Sequence, residues 1–168
     1  MQYDQGAIQP FRDELTRIGF REMRSGQDVD ETIAKKKGTN LIVINSVCGC
    51  AAGKARPGIA MALKQAPVRP DELTTVFAGG DIEATARVRE HLGTIPPSSP
   101  SMALYKDGEL VHFIPRYQIE NRDASQIAKH LVDVFGEFCA APAAGGGNLV
   151  IHSVIASGAK SRSLGSRS

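Results

Sequence analysis

Cys48-Gly49-Cys50, two cysteines one residue apart, are the residues of this chain best suited to do chemistry. They follow the apolar run Leu41-Ile42-Val43-Ile44 and precede a segment rich in alanine and other small residues. A strand-like run passing into a helix-like one puts the thiols at a helix N-terminus. Unpaired N–H groups and the positive end of the helix dipole there favour thiolate over thiol. The thiolate is the form that attacks a disulfide or binds a metal. The residues alone leave three readings open: a redox pair, a pair of metal ligands, or two small buried thiols of a core. As metal ligands the pair needs partners, which Cys139 with His91 or His112 would supply in a tetrahedral set, although no second CxC or CxxC motif exists.

Thiol–disulfide exchange needs a thiolate, a reachable sulfur and a way to release the mixed disulfide. Cys48 comes first and is expected nearest solvent. Gly49 would permit the tight turn of a one-residue bridge, since it tolerates φ values that other residues resist. Such a bridge departs from relaxed disulfide geometry, and strained bridges have less negative potentials. The pair is therefore expected to capture mixed disulfides or isomerise them, rather than to act as a strong dithiol reductant. Lys54 and Arg56 lie shortly after the thiols. They read either as cations that stabilise thiolate or hold the carboxylate of a small thiol, or as solvated helix charges. Arg116 and His112, near a later hairpin, are secondary candidates. Cys139 reads as a buried or terminal thiol.

The elements that must position these residues follow from periodicity and turn signals. Phe11, Leu15 and Ile18 predict a helix from Pro10 to Gly19. A second is expected from Val29 to Lys37, capped by Asp28 or Asp30 and ending in the solvated Lys35-Lys36-Lys37 before Gly38. Leu41 to Asn45 reads as a strand buried on both faces. Ala51 to Leu63 reads as a helix kinked near Pro57. Leu73 to Ala78 is the next strand, and Asp81 is expected to cap a helix from Ile82 to about Leu92. Met102 to Tyr105 and Glu109 to Ile114 flank an Asp-Gly turn and predict a hairpin. Asp123 is expected to cap a last helix with a stripe of Ile127, Leu131, Val134, Phe135 and Phe138. The order is α-α-β-α-β-α-β-β-α, with the first two strands parallel and the final hairpin antiparallel. The fold class is α/β, a mixed central sheet with helices on both faces.

Composition narrows the function classes. The chain has 168 residues, 42% hydrophobic and 23% charged, as in a globular protein with a real core. From Ala140 onward there are no acids and three basic residues, Lys160, Arg162 and Arg167. Removing those three from the 20 basic residues leaves 17 against 18 acidic ones, so the body has no basic patch that would suggest nucleic acid as a partner. No apolar run approaches the roughly 20 residues of a membrane span, and no secretory signal is seen at the start. Cytoplasmic thiols are the expectation, where a close pair is redox-active or metal-binding rather than structural. Residues 140–168, beginning with the linker-like Ala140 to Gly147, are expected to form a flexible low-complexity tail, with Leu149 to Ile155 as a short segment able to dock. The domain is expected to span 1–139.

Several separate motifs carry a family resemblance. Asn45-Ser46-Val47-Cys48-Gly49-Cys50-Ala51-Ala52-Gly53, followed by Ala55-Arg56-Pro57, is similar to the signature of the bacilliredoxins, thioredoxin-like proteins with CGC in place of CxxC. Phe77-Ala78-Gly79, Pro97-Ser98-Ser99-Pro100-Ser101-Met102-Ala103-Leu104, Val111-His112-Phe113-Ile114-Pro115-Arg116 and Phe138-Cys139 match in the same order. The resemblance covers Gln2 to Cys139. It implies a thioredoxin-like fold and removal of bacillithiol, or a similar low-molecular-weight thiol, from proteins that carry it as a mixed disulfide. Weak disulfide-isomerase activity is implied as well. Cys48 would be the attacking thiol and Cys50 the resolving one. Pro100 would be the cis-proline facing the site, preceded by Ser99. Gly49, Ser99, Pro100 and Arg56 would contact substrate, and no cofactor is needed beyond bacillithiol as exchange substrate. The rival reading is a non-catalytic protein that binds or delivers a metal or Fe–S cluster through the same cysteines.

Overall fold

The computed structural model describes residues 2–139, so the expectations for residues 140–168 lie outside the described residues. Five strands form one mixed sheet: β1 (Arg21–Glu22), β2 (Thr39–Asn45), β3 (Glu72–Phe77), β4 (Ser101–Lys106) and β5 (Glu109–Ile114), in the order β1-β3-β2-β4-β5. β2 and β3 are parallel, while β4 runs antiparallel to both β2 and β5. The central strand β2 is buried along its whole length, as its unbroken apolar run implies. Six α-helices surround the sheet: α1 (Gln5–Thr16), α2 (Gly26–Ala34), α3 (Arg56–Gln65), α4 (Ile82–His91), α5 (Arg116–Glu120) and α6 (Ala124–Phe138).

Alternation along the strands divides the core. Leu41, Val43, Met102 and Leu104 pack with Leu15, Ile59, Ile127, Leu131 and Phe135, beneath α1, α3 and α6. Ile42, Ile44 and Ala103 face the other way, onto Val29, Ala84 and Val88 of α2 and α4. The expected α/β sheet with helices on both faces is thus found. Beyond the nine expected elements there are two short ones. β1 has only two residues, paired with Thr74 and Thr75 of β3, and α5 is little more than a turn. Neither is long enough to show a period.

Several boundaries differ for local reasons. α1 begins at Gln5 rather than Pro10, because Asp4 caps it by accepting the Ala7 N–H at 2.9 Å, which leaves Pro10 inside the helix. Ser25, not Asp28 or Asp30, caps α2 through the Asp28 N–H at 3.1 Å. Asp81 occupies the N-cap position of α4 but its carboxylate makes no capping bond. It turns inward instead, accepting from Arg12 at 2.9 and 3.0 Å, from Arg24 at 2.9 Å and from the Phe77 N–H at 3.0 Å. Asp123 does cap α6, reciprocally with Gln126. In the hairpin, Asp107 and Gly108 both take positive φ (51° and 87°), the twist that joins two strands through two residues.

β5 and α6 are joined by a histidine pair. His112 Nε2 lies 3.0 Å from His130 Nε2, and Arg122 donates to His130 Nδ1. A guanidinium only donates, so His130 carries its hydrogen on Nε2 and gives it to His112. Burial pushes both histidines below the ordinary value. Glu137 opposes this at His112 and Asp133 at His130, while Arg122 reinforces it at His130. The folded state therefore binds fewer protons than the unfolded chain once pH falls below the ordinary histidine value of ~6.5. Stability is expected to drop from that pH downward and to level off below the folded-state values. Denaturant unfolding from pH 7.5 to 5 should show a smaller drop for the His112→Gln/His130→Gln variant; an unchanged pH slope would remove the pair as its source.

Candidate active site

Strand register brings three segments to one edge of the sheet. Ile44 of β2 pairs with Ser101 of β4, and Met102 pairs with Ile114 of β5. The chain leaving β2 toward Cys48, the chain entering β4 through Ser99-Pro100 and the chain leaving β5 into Arg116 therefore share that edge. The Ser99–Pro100 peptide bond is cis.

Helical backbone begins at Gly49, directly after Cys48. The Cys48 carbonyl accepts the Ala51 and Ala52 N–H groups at 3.0 and 3.1 Å, which makes Cys48 the first capping residue of this stretch. Both thiols are free and partly exposed. Burial tends to raise the Cys48 thiol pKa. The opposing effects are larger together: a hydrogen bond from the Ser46 hydroxyl, the N–H groups of Ala51 and Cys50, and the charge of Arg116 hold it below the ordinary thiol value. Ser46 also accepts the Cys48 N–H at 3.2 Å. Sequence reading missed Ser46, although a serine two residues ahead of a helix-starting cysteine is a recognisable turn signal.

Gly49 lies in the helical start itself. Its φ is not positive, and a Cβ there would meet nothing within 4 Å. In this dithiol state nothing in the backbone demands glycine. Positions two apart on a helix diverge by about 200°, so Cys50 reaches Cys48 only if the Gly49 backbone leaves helical geometry. Glycine's freedom thus belongs to ring closure rather than to the resting fold.

After Cys50 the helix is widened into a π turn, Ala51–Ala55, before α3. The Arg56 N–H reaches back to the Ala51 carbonyl, and Pro57, which has no N–H to give, falls in the first turn of α3. Where a kink is expected near Pro57, the structure shows a change of helical pitch just before it, with Pro57 in a first turn that needs no N–H from it. One turn on, Gly58 lets α3 approach α6: a Cβ there would lie 2.8 Å from Ile127 and 3.0 Å from the Ala124 carbonyl.

Arg56 is only 2% exposed. Its guanidinium donates to Asn45 Oδ1 at 2.9 Å, to the Ser46 carbonyl at 2.8 Å and to Glu14 at 2.8 Å, and it lies over the Phe11 ring. Asn45 in turn accepts the Ser46 N–H at 2.8 Å. Arg56 therefore braces the Asn45-Ser46 corner on which Cys48 stands, and its guanidinium is turned to that corner rather than outward to a substrate. Lys54 donates to the Glu120 carbonyl at 2.6 Å, tying the π turn to α5. Arg116 sits at the start of α5, its N–H on Ser98 Oγ at 3.2 Å and its Nη1 on the Ser99 carbonyl at 3.4 Å. Of the secondary candidates, this one lies at the site; His112 is held by His130.

The residues that would complete a tetrahedral metal set are dispersed. His91 bonds Asp30 at 2.9 Å on the α2/α4 face. Cys139 lies beside Thr39 at the opposite end of β2, where burial raises its thiol pKa against a hydrogen bond with Thr39. Among the described residues, no three His, Cys, Asp or Glu side chains form a metal-holding group. Nor is any described helix long and apolar enough to cross a membrane.

The family model described as disulphide isomerase matches residues 3–139. A bacilliredoxin of Geobacillus kaustophilus is 47% identical over 137 residues, covering 82% of this chain and 94% of its own. A bacilliredoxin of Bacillus cereus is 49% identical over 138 residues, covering 82% and 96%. Among solved structures, a reduced Schistosoma mansoni thioredoxin pre-protein aligns with a TM-score of 0.50 at 20% identity, covering 71% of this chain and 98% of that one. The fold is thioredoxin-like. The chain belongs to the bacilliredoxin family, which places it among thiol–disulfide redox proteins.

Proposed function

We propose that this bacilliredoxin-family chain removes a low-molecular-weight thiol, bacillithiol or a close analogue, from proteins that carry it as a mixed disulfide, working in the cytoplasm with no cofactor. The observation that carries the reading is the Cys48 thiol. It is partly exposed at a helix start, with a lowered pKa, at the end of the sheet where the chain through Ser99-Pro100 enters β4.

In the first step the Cys48 thiolate attacks the sulfur of the small thiol. The old disulfide breaks, Cys48 gains the small thiol, and the target protein leaves as its thiolate. In the second step Cys50 attacks Cys48, an internal disulfide forms, and the small thiol leaves. A two-electron thiol reductant then restores the pair. Ser46, the Ala51 and Cys50 N–H groups and Arg116 stabilise the attacking thiolate. Ser99 and Pro100 present the edge along which an extended substrate would lie. The one-residue spacing, with Cys50 turned away by the helix, favours capture over strong reduction. It also leaves Cys48 free to isomerise protein disulfides when the second step is slow.

Incubating the reduced protein with a bacillithiolated substrate should recover the free substrate thiol and oxidise Cys48, first to the small-thiol adduct and then to the internal disulfide with Cys50, both read from the mass of the Cys48 peptide. A Cys48→Ser variant that releases the substrate thiol as fast as the parent would end the proposal.

A further inference from the structure

α5 is pinned over the site at both ends. At its start the Arg116 N–H holds Ser98 Oγ at 3.2 Å, and Arg116 Nη1 reaches the Ser99 carbonyl at 3.4 Å, just before the cis-Pro100. At its end the Glu120 carbonyl takes Lys54 from the π turn at 2.6 Å. The Arg116 guanidinium thus lies on the segment that enters β4, near enough for its charge to act on the Cys48 thiol.

Of the candidate cations for the site, two are committed elsewhere. Arg56 is buried and bonded to Asn45, Ser46 and Glu14, while Lys54 is held by Glu120. Arg116 differs. Its side chain is 44% exposed, its Nε lies 3.7 Å from Glu120, beyond hydrogen-bond length, and only Nη1 donates to a described residue. A fork of planar donors with a free edge suits a carboxylate, which it grips through two parallel bonds.

We infer that Arg116 binds the carboxylate of the small thiol while that thiol is joined to Cys48, and so makes the site prefer anionic small thiols to neutral ones. The inference rests on Cys48 being the exchanging thiol. In the exchange the Cys48 thiolate displaces the protein thiolate, and the small thiol stays on Cys48 with its carboxylate on Arg116. The same contact then holds the small thiol until Cys50 or an external thiol releases it.

The test uses the reduced full chain with two probes, glutathione disulfide (anionic) and hydroxyethyl disulfide (neutral), following the loss of the free Cys48 thiol. For Arg116→Gln the rate with glutathione disulfide should fall about tenfold more than the rate with hydroxyethyl disulfide, the scale of one charged hydrogen-bonded contact. Arg116→Lys should restore part of the difference, because it keeps the charge without the fork. An equal fall with both probes would reduce Arg116 to a thiolate stabiliser and overturn the assignment; the pH profile of Cys48 alkylation reads that effect separately. A parent whose Cys48 thiol is consumed by neither probe would overturn the exchange reading itself.

Discussion

Asp81→Ala is expected to cost about 3–5 kcal/mol of folding stability, the scale seen when one member of a buried ion pair is removed. The side chains of Arg12 and Asp81 are each 2% exposed and 2.9 Å apart. Asp81 also holds Arg24 and the Phe77 N–H, while Arg12 reaches Glu22 at 2.6 Å and Gln5 at 2.9 Å and stacks over Phe77. One carboxylate thus ties together α1, the strand pair β1/β3 and the start of α4. Without it, Arg12 stays buried with only the partly buried Glu22 as counter-charge, and the Phe77 N–H loses its partner. The pair is not itself worth that sum, since burying two charges costs nearly what their attraction returns. An Arg12→Met/Asp81→Leu double variant should therefore recover much of the loss. Denaturant titration of the three proteins checks both statements. A cost below about 1 kcal/mol for Asp81→Ala would mean that water reaches Arg12 in solution.

The same residue shows why some of the architecture was hidden from the sequence. An aspartate ahead of an amphipathic stretch signals a helix cap, and the signal gave the start of α4 at the right residue. What the local pattern could not contain is Arg12, 69 positions away, which draws the carboxylate off the helix. Asp123 met no such competitor, and there the cap formed as expected. Long periodic elements were legible for a physical reason: β2, α4 and α6 each bury a face whose period is written in consecutive residues. β1 and α5 were not, because a two-residue strand and a single turn exist only through the partners the fold brings to them.

Much of the site was legible because thiol chemistry requires few residue types. The spacing of Cys48 and Cys50, their place between a buried strand and a helix, and Ser99-Pro100 all follow from short motifs. From its sequence position Arg56 is expected to be either a substrate contact or a solvated helix charge, and it is neither: it is buried. Its burial depends on Glu14, Asn45 and Phe11 meeting around it, three contacts that join separate elements. Arg116 was underrated for the complementary reason. It lies 68 positions after Cys48 and joins the site only because β5 lies beside β4 and β4 beside β2. The dithiol backbone at Gly49 is helical, so the freedom expected of this glycine is called on only when the one-residue bridge closes.

Closure of the pair is also where the second large effect arises. Cys50→Ser is expected to hold the small thiol on Cys48 as a lasting mixed disulfide, with no release until an external thiol is added. The first step is untouched by the substitution, because the stabilising groups around Cys48 are the Ser46 hydroxyl, backbone N–H groups and Arg116, none of which involves the Cys50 sulfur. The second step has no nucleophile left within the site. Cys139 sits at the other end of β2, seven residues of extended strand away, with its thiol pKa raised by burial. At ~3.3 Å per residue that is roughly 20 Å, beyond any side-chain reach. Mass spectrometry of the Cys50→Ser protein after one turnover should show a stoichiometric adduct on Cys48, while the parent shows the internal disulfide and free small thiol. Adducts that decay at equal rates in the two proteins would mean that Cys50 does not resolve. The helical backbone at Gly49 would then keep the thiols apart throughout the cycle, and release would belong to an outside thiol.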